Sequence, residues 1–395
     1  MSEIYRDPIT GSFHYKDYRW DIASSHKSTG AVDDYYQKIF AVRKLPTSPL
    51  QNGYTSSKRR FFILDKNAQI LPSEQKLFGL TKKDYHEKAW PERIGIKDEN
   101  NVFVPHYFRS FSMEHGIKPS AEQIVANVFC GRLFPVKMPY YAGMFNNHFG
   151  AIGIDLNHID DVKSLRLDKY LQSKGIELDS VVSLLKAYRN GAFDADLTNS
   201  AIAQLMLSMF SIPNAIGELD PNTRNAILLG PDKKNAKFDS IVRIDFEKTI
   251  FNDVNYVQNK NSSIYTYPFG MFHREESKNE FEQNLTKALT DKIITSQDAD
   301  LILALHEVTQ RATSDDKIEQ AIIQATSVQS NNDDPDNSTP LSDYFSLKSI
   351  NDFAEEVSKY SKNYTNDIKS IFDSAAKRTK ILIRPNISEL PSLEK

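Results

Sequence analysis

The first part of the chain reads as strands separated by turn chemistry. Residues 12–15, 35–44 and 60–64 are rich in aromatic and β-branched side chains and predict strands. Ser/Thr/Gly-rich loops at 24–30 and 52–58 lie between them. Residues 71–115 mix polar, helix-prone and turn-prone pieces and read as an insertion without a clear period. Residues 119–134 then carry apolar positions at helical spacing behind a Pro-Ser start, and they stop before Pro135-Val-Lys-Met-Pro139. Two short apolar stretches, 140–144 and 149–156, predict paired strands around Asn146-Asn147.

Beyond residue 160 the period is helical. Residues 181–188, 201–210, 280–289 and 298–308 predict helices, and 350–372 predicts an amphipathic one. The polar, Pro-containing run 329–340 reads as a linker. No internal repeat is present. A β-rich part followed by a helical part with a short β insert gives an α+β, two-lobe order. The expected units are a first lobe at 1–157 (insertion at about 71–115), a second lobe at 158–328, the linker at 329–340, and a helical C-terminal extension at 341–395.

Composition narrows the function classes. The chain has 395 residues, 40% hydrophobic and 26% charged, within the range of a globular protein with a substantial core. Its 49 Lys and Arg against 52 Asp and Glu leave a net charge of −3, which argues against a nucleic-acid partner. No apolar run reaches the roughly 20 residues of a transmembrane helix, and the N-terminus lacks the basic and apolar regions of a secretory signal. Cys130, the single cysteine, sits in an apolar helical pattern and reads as a core thiol. The expected location is the cytoplasm. No zinc-type His spacing, dinucleotide-binding glycine pattern or Gly-x-Ser-x-Gly elbow is present.

Candidate chemistry concentrates in one stretch, Gly217-Glu-Leu-Asp220-Pro-Asn-Thr-Arg224-Asn225, which follows an apolar helix and precedes the apolar run Ala226-Ile-Leu-Leu. A polar turn leads to Ile241-Val-Arg-Ile-Asp245-Phe246-Glu247. Phosphoryl transfer needs positioning, a divalent cation on the phosphates and an acceptor for the nucleophile's proton. Asp220 fits the last role, and the hard oxygens of Asn225 and Asp245 suit a metal ion. The competing structural reading is an Asx turn beside Pro221 and an Asp that ends a strand.

This segment resembles the catalytic core of atypical members of the protein-kinase-like superfamily, the HipA-like kinases and the type II phosphatidylinositol 4-kinases. There an Asp-x-x-x-x-Asn loop is followed by an apolar strand ending Ile-Asp. The resemblance implies a kinase fold, ATP, and Mg2+ or Mn2+. It also implies Asp220 as the catalytic carboxylate, Asn225 and Asp245 as metal ligands, and Arg224 as a basic residue near the phosphates. The helix from residue 121 resembles the regulatory helix, with Glu122 placed to pair with a phosphate-binding Lys. The loop Thr55-Ser56-Ser57 resembles the phosphate loop, with Lys66 or Lys76 as that lysine; Phe40-Ala-Val-Arg-Lys44 is a rival. Two departures stand out. Glu218-Leu219 replaces the His-Arg of ordinary protein kinases, and Phe246-Glu247 replaces Phe-Gly.

The expected activity is transfer of the γ-phosphoryl group to a protein hydroxyl. Alternatives are a phosphoinositide or inositol kinase, AMP transfer, or an inositol-phosphate-binding pseudokinase scaffold. The basic clusters Lys58-Arg59-Arg60 and Lys82-Lys83 are candidate sites for an inositol polyphosphate or phosphoinositide. The composition also resembles bacterial effectors delivered into a host cytosol, where host proteins would be substrates.

Overall fold

The computed structural model describes residues 3–6, 13–16, 30–41, 43–45, 62–63, 92–97, 103–110, 129–138, 140–145, 148–158, 162–218, 221–246, 275–326 and 347–393. It is a mixed α+β structure of small antiparallel sheets and packed helices. Strands β1 (Glu3–Arg6) and β2 (Phe13–Lys16) form a hairpin of their own.

Helix α1 (Gly30–Phe40) corrects the strand expected over 35–44. Tyr, Ile and Phe suggest a strand by type, but the buried positions Val32, Tyr35, Tyr36 and Ile39 have the i, i+3, i+4, i+7 spacing of one helix face. Tyr36 stacks on Phe40 with ring centroids 4.2 Å apart.

The main sheet has the order β3-β4-β5-β7-β6, all antiparallel. Its strands are β3 (Phe62–Ile63), β4 (Glu92–Lys97), β5 (Phe103–Ser110), β6 (Tyr141–Phe145) and β7 (His148–Ile154). Strands β6 and β7 pair antiparallel from Phe145–His148 outward, as the two apolar stretches predict. Strands β4 and β5 fall inside the expected insertion at 71–115, and they are internal strands of the sheet. Gly95 and Pro105, which face each other in the register, interrupt the β-branched pattern that would have marked them. Gly153 in β7 has a packing reason, because a Cβ there would lie 2.9 Å from the Tyr140 ring.

A second, three-stranded antiparallel sheet has the order β10-β9-β8, from β8 (Val162–Arg166), β9 (Ala226–Pro231) and β10 (Ser240–Arg243). A parallel bridge between Val136 and Val242 ties β10 to the turn that follows the helix ending at Cys130.

The helices after β8 are α2 (Leu167–Lys174), α3 (Val181–Arg189), α4 (Asn199–Met206), α5 (Ile212–Ala215), α6 (Glu275–Thr290), α7 (Ser296–Ala312), α8 (Asp315–Thr326) and α9 (Leu347–Thr379). The large core lies among them and includes α1, which packs on α7 and α4. Helix α9 is 33 residues long and packs along α6, with Lys278–Asp367 and Arg378–Glu282 ion pairs at 3.0 Å. The expected helical extension is thus part of the helical core. A smaller apolar cluster of Val136, Met138, Ile154, Leu156, Leu229 and Val242 joins the two sheets. No helix among the described residues is long and apolar enough to cross a membrane.

Candidate active site

The helix that leads to the site is irregular for a local reason. Between α4 and α5 lies one π turn, Leu207–Ser211, where Ile212 N–H donates to the Leu207 carbonyl. Pro213 has no N–H, so the ordinary ladder cannot run through it. The Asn214 side chain donates instead to the Phe210 carbonyl at 2.7 Å.

Helix α5 then ends in a Schellman motif. Gly217 N–H donates to Asn214 O at 3.3 Å and Glu218 N–H to Pro213 O at 2.8 Å. Gly217 takes φ 67°, the left-handed region where a side chain is strained. This turn sends Glu218 inward, to 1% exposure. Leu219 and Asp220 lie outside the described residues.

The chain resumes at Pro221. Asn222 Oδ1 accepts from Arg224 N–H at 2.8 Å, and Asn222 O accepts from Asn225 N–H at 3.1 Å, so the Asx turn of the competing structural reading is formed at Asn222. This turn delivers Asn225, 7% exposed, to the start of β9.

Strand β10 pairs back along β9, with Arg243 opposite Ala226. One residue further, Ile244 N–H donates to the Asn225 carbonyl at 3.0 Å. Asn225 and Asp245 therefore flank the same end of the β9–β10 hairpin. Asp245 adopts φ 68°, a conformation uncommon outside Gly and most tolerated by Asn and Asp. Its N–H donates to the Tyr140 hydroxyl at 3.4 Å. Phe246 is fully buried, its ring 5.1 Å from that of Phe134. The residue after Asp245 thus anchors the segment under the turn at 131–138.

Behind this end of the hairpin lies an ion pair that sequence reasoning missed. Arg243 and Glu218 side chains are both fully buried and bonded to each other. Arg243 Nη1 also donates to the Asn222 carbonyl at 3.0 Å. The readable signal was an Arg inside an otherwise apolar strand, which must find an acid when buried. The Glu218 charge and burial push the nearby Cys130 thiol well above its ordinary pKa, burial being the larger cause. The expected core thiol is therefore buried and inert.

An amide oxygen and a carboxylate are hard donors that suit Mg2+ or Mn2+, ions that take few protein ligands and complete their shell with phosphate oxygens and water. Asn225 and Asp245, at one end of the hairpin, are donors of that type. Among the described residues, no cluster of three or more His, Cys, Asp or Glu is placed to hold a metal by itself. Ser56, Ser57, Lys66, Lys76 and Glu122, with the basic clusters at 58–60 and 82–83, lie outside the described residues. The rival lysine segment is corrected: Phe40 closes α1, and Arg43 pairs with Asp239 through bonds of 2.9 and 2.5 Å.

No family model and no curated protein matches this sequence. Among solved structures, the chain is similar to the crystal structure of a Helicobacter pylori proinflammatory kinase, CtkA. The likeness has a TM-score of 0.42 at 14% identity and covers 75% of this chain and 95% of that one. A likeness that weak assigns no residue a role.

Proposed function

We propose that this protein is a metal-dependent kinase that transfers the γ-phosphoryl group of ATP to a hydroxyl, with a protein as acceptor. The observation that carries this reading is the Ile244–Asn225 backbone bond, which holds two hard-oxygen donors at one hairpin end, one of them in a left-handed backbone. Sparsely populated backbone at a polar site is where function stores strain.

In this reading Asn225 and Asp245 would hold a divalent cation, whose charge would offset that of the phosphates. Asp220 orients the acceptor hydroxyl and takes its proton as the new O–P bond forms and the β–γ bridge bond breaks, releasing ADP. Glu122 orients a phosphate-binding Lys, Lys66 or Lys76, under the loop at Ser56 and Ser57.

A calorimetric titration with Mg-ATP tests the reading. Wild type is expected to bind with a dissociation constant in the range of about 1 μM to 1 mM, and Asp245→Ala at least about tenfold more weakly. Absence of binding by the wild type overturns it. Radiolabelled ATP offered with protein and phosphoinositide acceptors tests the acceptor class, and label on lipid alone replaces the protein assignment. Mass spectrometry of the product separates an added phosphate from an added AMP.

A further inference from the structure

We infer that Arg243 is a positioning residue that holds both ends of the segment carrying Asp220 to the strand that carries Asp245. This rests on the kinase reading for its catalytic consequence but not for its structural one.

The inference starts from energetics. A buried ion pair costs desolvation on both sides, and apolar residues of similar volume are often as stable or more so. Stability alone therefore gives no reason to keep Arg243 and Glu218 fully buried in the middle of a core. Geometry gives one. One nitrogen of the guanidinium binds the Glu218 carboxylate and another binds the Asn222 carbonyl. Those two residues bracket Leu219, Asp220 and Pro221, which form the whole link between them.

A three-residue link spans at most roughly 14 Å between the flanking Cα atoms. Both flanks of that link, Glu218 and Asn222, are held on one planar fork. The Schellman turn at Gly217 sets the direction from which the chain arrives. Arg243 itself stands two residues before Asp245. One rigid side chain thus couples the placement of the proposed proton acceptor to that of the proposed metal ligand. A lysine, a point charge with a flexible stem, does not present two donors in a fixed plane.

Two variants test this, Glu218→Leu/Arg243→Met and Arg243→Lys. Hydrogen exchange of the 219–224 amides is read together with kcat and KM for Mg-ATP turnover. In the double variant the segment is expected to exchange about tenfold faster or more while the core helices keep their protection. Turnover is expected to fall about 100-fold in kcat, the cost of misplacing a reacting group by about 1 Å, with KM within about threefold of wild type. Arg243→Lys, which keeps the charge, is expected to fall between wild type and the double variant in both readouts. Unchanged exchange in the double variant overturns the inference, as does wild-type behaviour of Arg243→Lys in both readouts. A double variant that does not fold leaves Arg243→Lys to decide on the same two outcomes. Should wild type fail to bind Mg-ATP, the kinase reading falls, and the exchange data still decide whether Arg243 holds the segment.

Discussion

Two regions bury polar side chains, and they do so differently. In the helical core the partners are mostly one helical turn away. Thr309 Oγ1 donates to Leu305 O at 2.9 Å, Thr313 Oγ1 to Thr309 O at 3.0 Å, and His306 shares a 3.0 Å bond with Gln310. At the β9–β10 hairpin the partners come from distant segments. Arg243 reaches Glu218 and Asn222, and the Gln204 side chain on α4 accepts from Ile241 N–H at 2.9 Å. A bond within one helix satisfies a buried group and leaves the tertiary arrangement undetermined. A bond between separate segments fixes where one stands relative to another. Polar burial in α7 is therefore mixed, with local bonds beside two that reach α9, from Thr313 to Ser361 at 2.7 Å and from His306 to the Thr365 backbone, whereas at the hairpin the bonds between segments specify geometry.

Removing single groups from each region tests that contrast. The largest effect is expected for Arg243→Met alone, which strands the Glu218 carboxylate in the core and should lower unfolding free energy by about 3–5 kcal/mol, read by denaturant titration. A smaller loss, or one equal to that of the double variant, would erase the distinction between the two regions.

Next comes His306. Burial, then the Lys369 charge, push its pKa down to about 3, against a weaker upward pull from a backbone bond at Thr365. Its folded pKa lies below its unfolded one, so the unfolded chain binds the proton first. The stability is present in full above about pH 6.5 and declines as pH falls toward 3, by about 2 kcal/mol at pH 5. His306→Gln should flatten that slope, and an unaltered slope would show that His306 is not its source.

Third is Thr295→Ala, which breaks the capping box with Asp298 at the start of α7 and should cost about 1 kcal/mol, read as a shift in melting temperature. The smallest is Arg166→Ala. Its bidentate pair with Asp168 is largely exposed and holds two residues of one turn, so the change is expected to stay within about 0.5 kcal/mol. A larger effect would show that local pairs matter more here than their geometry suggests.

How much the sequence revealed follows the same division. Helices α3 and α7 were legible because their apolar spacing is regular, and the structure adds capping boxes at Ser180 and Thr295. The β6–β7 pairing was legible from two short apolar stretches close together in sequence. Asn225 and Asp245 were singled out because the segments around them are local, a turn and a hairpin that bring the two residues to one end. Helix α1 was misread because side-chain type outweighed period, and β4 and β5 were missed because Gly95 and Pro105 break the expected alternation. The Glu218–Arg243 pair was invisible as a pair. Glu218 registered only as a departure at the position before Asp220, since nothing in a linear sequence joins residues 25 apart.

Helix α1 has a consequence for how the chain reaches its fold. The Tyr35 hydroxyl donates to the Pro391 carbonyl at 3.1 Å, across 356 positions of sequence. The face that α1 buries is offered by α7 and by residues synthesised long after it. Local structure forms in microseconds, whereas ribosomes extend a chain by only about 5–20 residues per second. For tens of seconds, then, this amphipathic helix has no surface to cover. The closing of the helical core over α1 therefore waits until the segment around residue 391 has been made.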